Sequence, residues 1–311
     1  MEHRPLGTSG IEVSALALGS WRTYERLSRE EGVAVMTAAR EAGIDFLDDA
    51  RYNDETGKAP LRTGYSEVVF GELFRAAGWN RDDVFVSNKL WWEFWPEQTA
   101  VAELDGSLSR MRLDHVDLIY SEKPPDGLPV ADVVESVIRL IDSGKARTWG
   151  LLNWPAEQIA EAGRVAATEG VPAPCAAQLA YSLVYRSPVE EEATVAALEV
   201  CGAAVVASAV LAYGALTGKG RAGRAAELPE DGSVWQTAFE AGDRLRYLAA
   251  ELDTTPVQLA IAFALSNRHV ASVLFGASTP EQVHENVGAL EVLGRLDEAG
   301  LTELRSVGVT T

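Results

Sequence analysis

Short apolar runs alternate with longer segments of helical periodicity along most of the chain. Apolar residues recurring at helical spacing mark amphipathic helices, and short apolar runs bounded by turn formers mark buried strands. The runs 4–6 and 11–13 flank GTSG and read as a small hairpin turned by glycines. A buried strand at 16–20 (LALGS) precedes a helix at 29–42, which Gly43 ends. Strands follow at 45–50, 84–89, 116–122, 147–153, 175–182, 203–210 and 270–276. The segments 66–77, 97–111, 130–143, 155–168, 189–200, 234–251 and 255–266 read as helices, with two more at about 280–292 and 297–305.

After the hairpin this gives eight strands, most followed by a helix. Strands spaced by helices pair in parallel with right-handed crossovers, and eight such units close a (β/α)8 TIM barrel. An open doubly wound sheet is the competitor, but no GxGxxG directly follows a strand. No linker or low-complexity segment interrupts the pattern, so residues 1–311 are expected to form one barrel domain. Two loops are long, 53–65 and roughly 211–233, as binding loops and lids often are.

Composition narrows the function. With 47% hydrophobic residues the chain can bury a large core, and its net charge of −19 disfavours nucleic acid and anionic lipid as partners. The leading segment MEHRPLGTSG lacks the apolar centre of a signal peptide, and no apolar run approaches the ~20 residues of a membrane span. A soluble cytoplasmic protein acting on a small molecule is expected, with its oligomeric state open. Cys175 and Cys201 are too few for a disulfide framework and read as buried thiols. His3, His115, His269 and His284 are scattered, so no metal site is expected.

Active sites of such barrels lie at the C-terminal ends of the strands. The polar residues there are Asp48, Asp49, Tyr52, Asn88, Lys89, Glu122, Asn153, Gln178 and Ser208. The segments RPLGTSGIEVSALALGSW, GIDFLDDARY, VFVSNK, WGLLN, LTGK and GASTPEQVHEN resemble, in order and spacing, the motifs of the aldo-keto reductases. The resemblance covers residues 4 to about 292 and implies hydride transfer from NAD(P)H to a carbonyl, with a tyrosine as proton donor. By position, Asp48, Tyr52 and Lys89 match the family's Asp, Tyr and Lys. Asn153 and Gln178 match its carboxamide contacts, Glu285 and Asn286 its adenine contacts. Ser208, Leu211, Lys219, Gly276, Ser278 and Gln282 fall on its remaining cofactor-binding positions.

Four departures from the family pattern bear on the chemistry. Tyr52 stands four residues after Asp48 rather than five, with Asn53 at the fifth; Tyr65 is a fallback donor. The run DLIYSE puts Glu122 where the family has His. A subset of the family, the steroid 5β-reductases, carries Glu there and reduces an activated C=C bond. A carboxyl in an apolar mouth has a raised pKa and can hydrogen-bond a carbonyl oxygen. Ser208 replaces the tyrosine that stacks on nicotinamide, leaving Trp21, Tyr181 or Tyr213 to take that place; Leu152 replaces the serine before Asn153. Gly276, Ser278 and Gln282 stand where cations grip the 2′-phosphate of NADP, so NADPH is the expected cofactor with NADH credible, and Lys219, Arg221 or Arg224 are substitute cations.

The tryptophan-rich stretch LWWEFWPEQ (90–98) follows Lys89 and places Trp91, Trp92, Phe94 and Trp95 at the rim. Trp21, Trp91 and Trp92 are the expected substrate contacts, suited to a flat, largely apolar molecule. The leading reading is a reductase of a carbonyl, enone or imine. A redox-neutral acid–base enzyme using Glu122 and Tyr52 is the alternative, and a cofactor-binding regulatory subunit a third.

Overall fold

The computed structural model describes residues 1–228 and 233–308. Strands β1 (His3–Pro5) and β2 (Glu12–Ser14) form the antiparallel hairpin. The barrel strands are β3 (Leu16–Gly19), β4 (Phe46–Asp48), β5 (Phe85–Leu90), β6 (Val116–Glu122), β7 (Ala146–Leu152), β8 (Ala176–Ala180), β9 (Ala204–Ser208) and β10 (Val270–Phe275). They pair in parallel in chain order, and β10 closes onto β3.

The helices are α1 (Arg29–Glu41), α2 (Tyr65–Ala76), α3 (Ala100–Met111), α4 (Val130–Asp142), α5 (Ala156–Glu169), α6 (Ser187–Glu190), α7 (Glu192–Cys201), α8 (Ser233–Glu251), α9 (Pro256–Leu265), α10 (Pro280–Val287), α11 (Ala289–Arg295) and α12 (Glu298–Val307). Helix α1 begins at a capping box, in which Ser28 accepts from the Glu31 amide and Glu31 answers the Ser28 amide. Thr255 and Gln258 do the same for α9. No single helix among the described residues is long and apolar enough to cross a membrane.

Two helices expected as continuous are broken. Segment 189–200 divides into α6 and α7 because Glu191 is extended (φ −64°, ψ 136°). Segment 280–292 divides at Gly288, where the Gln258 side-chain amide donates to the Glu285 carbonyl at 3.0 Å and takes over an acceptor of the helical ladder. The predicted strand ends at 49–50, 181–182 and 209–210 are loop, and Ala209 at the last has φ 53°. Of the long loop at 211–233, residues 229–232 lie outside the described residues.

Alternation along the strands sorts the core into two layers. Ala17, Phe46, Phe85, Leu118, Tyr120, Ala176 and Val206 cluster with Leu6 and Val13 of the hairpin, filling the barrel interior and stopping its N-terminal end. Leu18, Leu47, Val86, Ile119, Trp149, Val205 and Val273 belong to the larger cluster between sheet and helices. Both cysteines are buried free thiols, each pushed up to about 11 by burial. Helices α2 and α3 meet so closely at Gly71 that a β-carbon there would lie 2.1 Å from the Met111 carbonyl oxygen. Backbone cannot yield as a side chain can, so Gly71→Ala is expected to lower stability by about 1–3 kcal/mol in chemical denaturation.

Candidate active site

The C-terminal ends of β4, β5 and β6 bring the reactive groups together. Lys89 Nζ donates to Asp48 Oδ2 at 2.6 Å, and both side chains are almost fully buried. Ser87 Oγ fixes the other Asp48 oxygen at 2.6 Å. Nζ also donates to Tyr52 Oη at 3.2 Å and to the Asp49 carbonyl at 3.5 Å. The one-residue shortening before Tyr52 is thus absorbed by a tight bend, in which the Tyr52 amide donates to the Ala50 carbonyl at 2.9 Å. The fallback, Tyr65, is engaged elsewhere: its hydroxyl accepts from Arg29 on the outer surface.

Burial pushes the Tyr52 phenol well above its usual range, and the charge of Asp48 adds to the effect. Tyr52 is therefore a phenol throughout the neutral range, with a cation waiting on its oxygen. Glu122 is half-buried, and desolvation raises its carboxyl above the ordinary value despite the opposing pull of Lys89 and Lys123. It forms no ion pair among the described residues, and Lys89 is paired with Asp48 instead.

Trp91 is partly buried and meets Tyr52 edge-on, ring centroids 5.9 Å apart; its indole nitrogen is buried without a partner. Trp92 does not face the mouth. It is 5% exposed, has φ 59°, and its indole donates to Ser121 Oγ, so it is a core residue rather than a substrate contact. Phe94 is exposed under the Arg51 guanidinium, and the Trp95 ring lies near Gly127 of the loop after β6.

Ends of β7, β8 and β9 supply the next arc. Gln178 is 4% exposed and its Oε1 has no hydrogen-bond partner. Asn153 is held in a left-handed conformation (φ 56°), its amide donating to the Gln178 carbonyl at 3.0 Å. Ser208 pairs with Ala180 and is partly exposed. Leu211 begins a 3-10 segment, Ala212–Thr217, with Tyr213 at φ 56°. Tyr213 meets Trp21 edge-on at 5.8 Å and Trp235 at 5.6 Å, which puts aromatic rings over this side of the mouth. Tyr181 cannot serve there: it is fully buried against Phe263 and donates to Glu190.

After β10, Gly276 packs against Thr23, and the Ser278 amide and hydroxyl both donate to Gln282 Oε1 at 2.8 and 3.1 Å. Glu285 is partly exposed on α10, and Asn286 is buried beside it. Lys219 is exposed; Arg221 donates to the Leu228 carbonyl and lies over Phe239. The Arg224 side chain lies outside the described residues. Arg22 and Arg26 join Glu55 and Glu227, tying three mouth loops together, and Arg22 holds Glu227 below the ordinary carboxylate range.

Asn88 and Asp49, read as mouth residues, face the helices instead. Residues 87 and 89 point inward, so 88 must point out, and Asn88 donates to Glu67 on α2 at 3.0 Å. The brace behind Trp91 was not anticipated: buried Glu103 on α3 accepts from the Trp91 and Trp92 amides, with Arg51 3.6 Å away. Only tertiary contact reveals it, since Glu103 reads as an ordinary polar position on a helix.

The profile of the aldo/keto reductase family matches residues 15–308. The chain belongs to this family. Among similar proteins are two named "Probable voltage-gated potassium channel subunit beta". The one from Oryza sativa subsp. japonica is 33% identical and the one from Arabidopsis thaliana 30%, each alignment covering 99% of this chain and 96% of the relative. Membership supports NAD(P)H-dependent oxidoreductase chemistry in general terms. Nicotinamide is an amide whose NH2 needs an acceptor, and the unpartnered Gln178 oxygen fits that need.

Removing one member of a buried ion pair strands the other. Lys89→Met and Asp48→Leu are each expected to cost about 3–5 kcal/mol, and the double variant clearly less than their sum, measured by a double-mutant cycle in urea.

Proposed function

We propose that this aldo/keto reductase reduces a carbonyl, enone or imine in a small organic substrate, with Tyr52 as proton donor. The observation that carries the reading is Lys89 Nζ placed between Asp48 and the Tyr52 hydroxyl. A bound nicotinamide dinucleotide would supply the hydride. Asn153 and Gln178 would hold its carboxamide, and the 276–286 segment its adenosine end. Tyr52 releases its proton to the substrate oxygen or carbon, and the Lys89 ammonium stabilises the phenolate left behind. Asp48 and Ser87 keep that ammonium aimed. Glu122, when protonated, donates a hydrogen bond to the substrate carbonyl and makes it more electrophilic. Trp21 and Trp91 offer flat apolar faces to the substrate.

The reading is tested by reduction of a carbonyl and enone panel. Tyr52→Phe is expected to lower kcat about 10²–10⁴-fold while leaving dinucleotide affinity within a small factor. Because the acid form of Glu122 is the active one, the rate should rise as pH falls through its titration. Glu122→Gln should flatten that limb. A pH-independent wild-type rate in this range would remove Glu122 from the mechanism.

The cofactor is proposed as NADPH or NADH, with NADH accepted at least as well. Ser278 and Gln282 bond to each other and present no cation to a 2′-phosphate. Gln282→Arg is expected to tighten NADPH binding about tenfold and leave NADH nearly unchanged, followed by tryptophan fluorescence. The names of the two relatives support a second reading, a dinucleotide-binding subunit of a larger assembly. Dinucleotide binding without turnover on the whole panel would favour it. The redox-neutral alternative would leave the Gln178 oxygen unused.

A further inference from the structure

Asp49 is a buried acid that the chemistry above does not use. It follows β4, is fully excluded from solvent, and faces away from the barrel axis. Ser20 Oγ donates to its Oδ1, while its Oδ2 has no partner and no access to water. The Tyr24 hydroxyl, on the 3-10 turn between β3 and α1, is likewise buried without a partner. The charges that act on this acid are those of Glu67 on α2 and Lys89 on β5, and its own charge would act on Tyr24 and on Tyr52 of the following loop.

Charge balance decides its state. Asp48 is paired with Lys89, and Glu67 with Arg110 at 2.6 Å. An ionised Asp49 would be an additional buried anion with one bare oxygen, and such a group is strongly disfavoured. As a neutral acid it keeps Oδ1 as the acceptor for Ser20 and gains an O–H donor on Oδ2. Burial, followed by the charge on Glu67, pushes its titration well above the ordinary carboxylate range.

We propose that Asp49 is a positioning residue for the Lys89–Tyr52 pair, held as a neutral carboxylic acid so that Asp48 is the anion to which Lys89 answers. Its backbone carbonyl already touches Nζ, at 3.5 Å. Loss of its proton would set a second anion near Lys89 and make Tyr52 harder to ionise. The bearing on catalysis rests on the reductase reading; the protonation state does not.

Infrared difference spectra of the whole protein at neutral pH test the protonation state without any substrate. Wild type minus Asp49→Asn should show the carbonyl band of a protonated carboxylic acid. Ser20→Ala, which keeps Asp49 but strips its donor, should move that band to higher frequency. Glu122→Gln should leave it in place. Ultraviolet titration of phenolate, referenced to Tyr52→Phe and carried above the pH at which Asp49 loses its proton, should place the Tyr52 midpoint about one pH unit lower in Asp49→Asn than in wild type. Absence of the acid band, or a band untouched by Ser20→Ala, overturns the neutral state. Coincident Tyr52 midpoints overturn the coupling.

Discussion

The ion pair of Asp48 and Lys89 is the contact around which the mouth of this barrel is organised. Two opposite charges almost out of water are held at 2.6 Å on adjacent strands, with a hydroxyl on one side and a phenol on the other. Such a pair contributes little net stability, because desolvation offsets its attraction. What it contributes is a fixed ammonium at a defined place. The register of β4 against β5, Asp48 opposite Ser87, sets that place, so the chemistry is anchored in the sheet rather than in a loop.

Around this anchor the protein arranges acids in different states. Asp48 is matched by a cation, Glu67 by another, Glu122 stands half-buried without one, and Asp49 is walled in. Sequence proximity says little about which is which: Asp48 and Asp49 are neighbours in the chain, but Asp48 faces the barrel axis and Asp49, just past the strand end, faces away from it. Environment assigns the roles, and position at the strand end alone treats both as mouth carboxylates.

Much of the fold was legible because parallel barrel strands are continuous apolar runs and the helices between them carry clear periodicity. The order of strands, the hairpin and the residues at the strand ends follow from that. The breaks at Glu191 and Gly288 were not legible, since each depends on backbone conformation or on a side chain from elsewhere, as Gln258 does for the second. Of the site, Asp48, Lys89 and Tyr52 could be read from position. The burial of Trp92 and the Glu103 brace could not, whereas the outward turn of Asn88 was available from strict alternation relative to Lys89.

The hairpin has a consequence for traffic through the molecule. Leu6 and Val13 close the floor of the barrel, with Phe46, Phe85 and Leu118 stacked above them. Among the described residues the barrel is packed shut beneath the Asp48–Lys89 pair, which is therefore approached from the loop end. If Tyr52 gives up a proton as proposed, the proton that replaces it would come from the loop end, beside the loops stitched together by Arg22, Arg26, Glu55 and Glu227. On the proposed reductase reading, resupply of protons and exchange of ligands would then share the loop end of the barrel, so a ligand seated there would stand in the path of both.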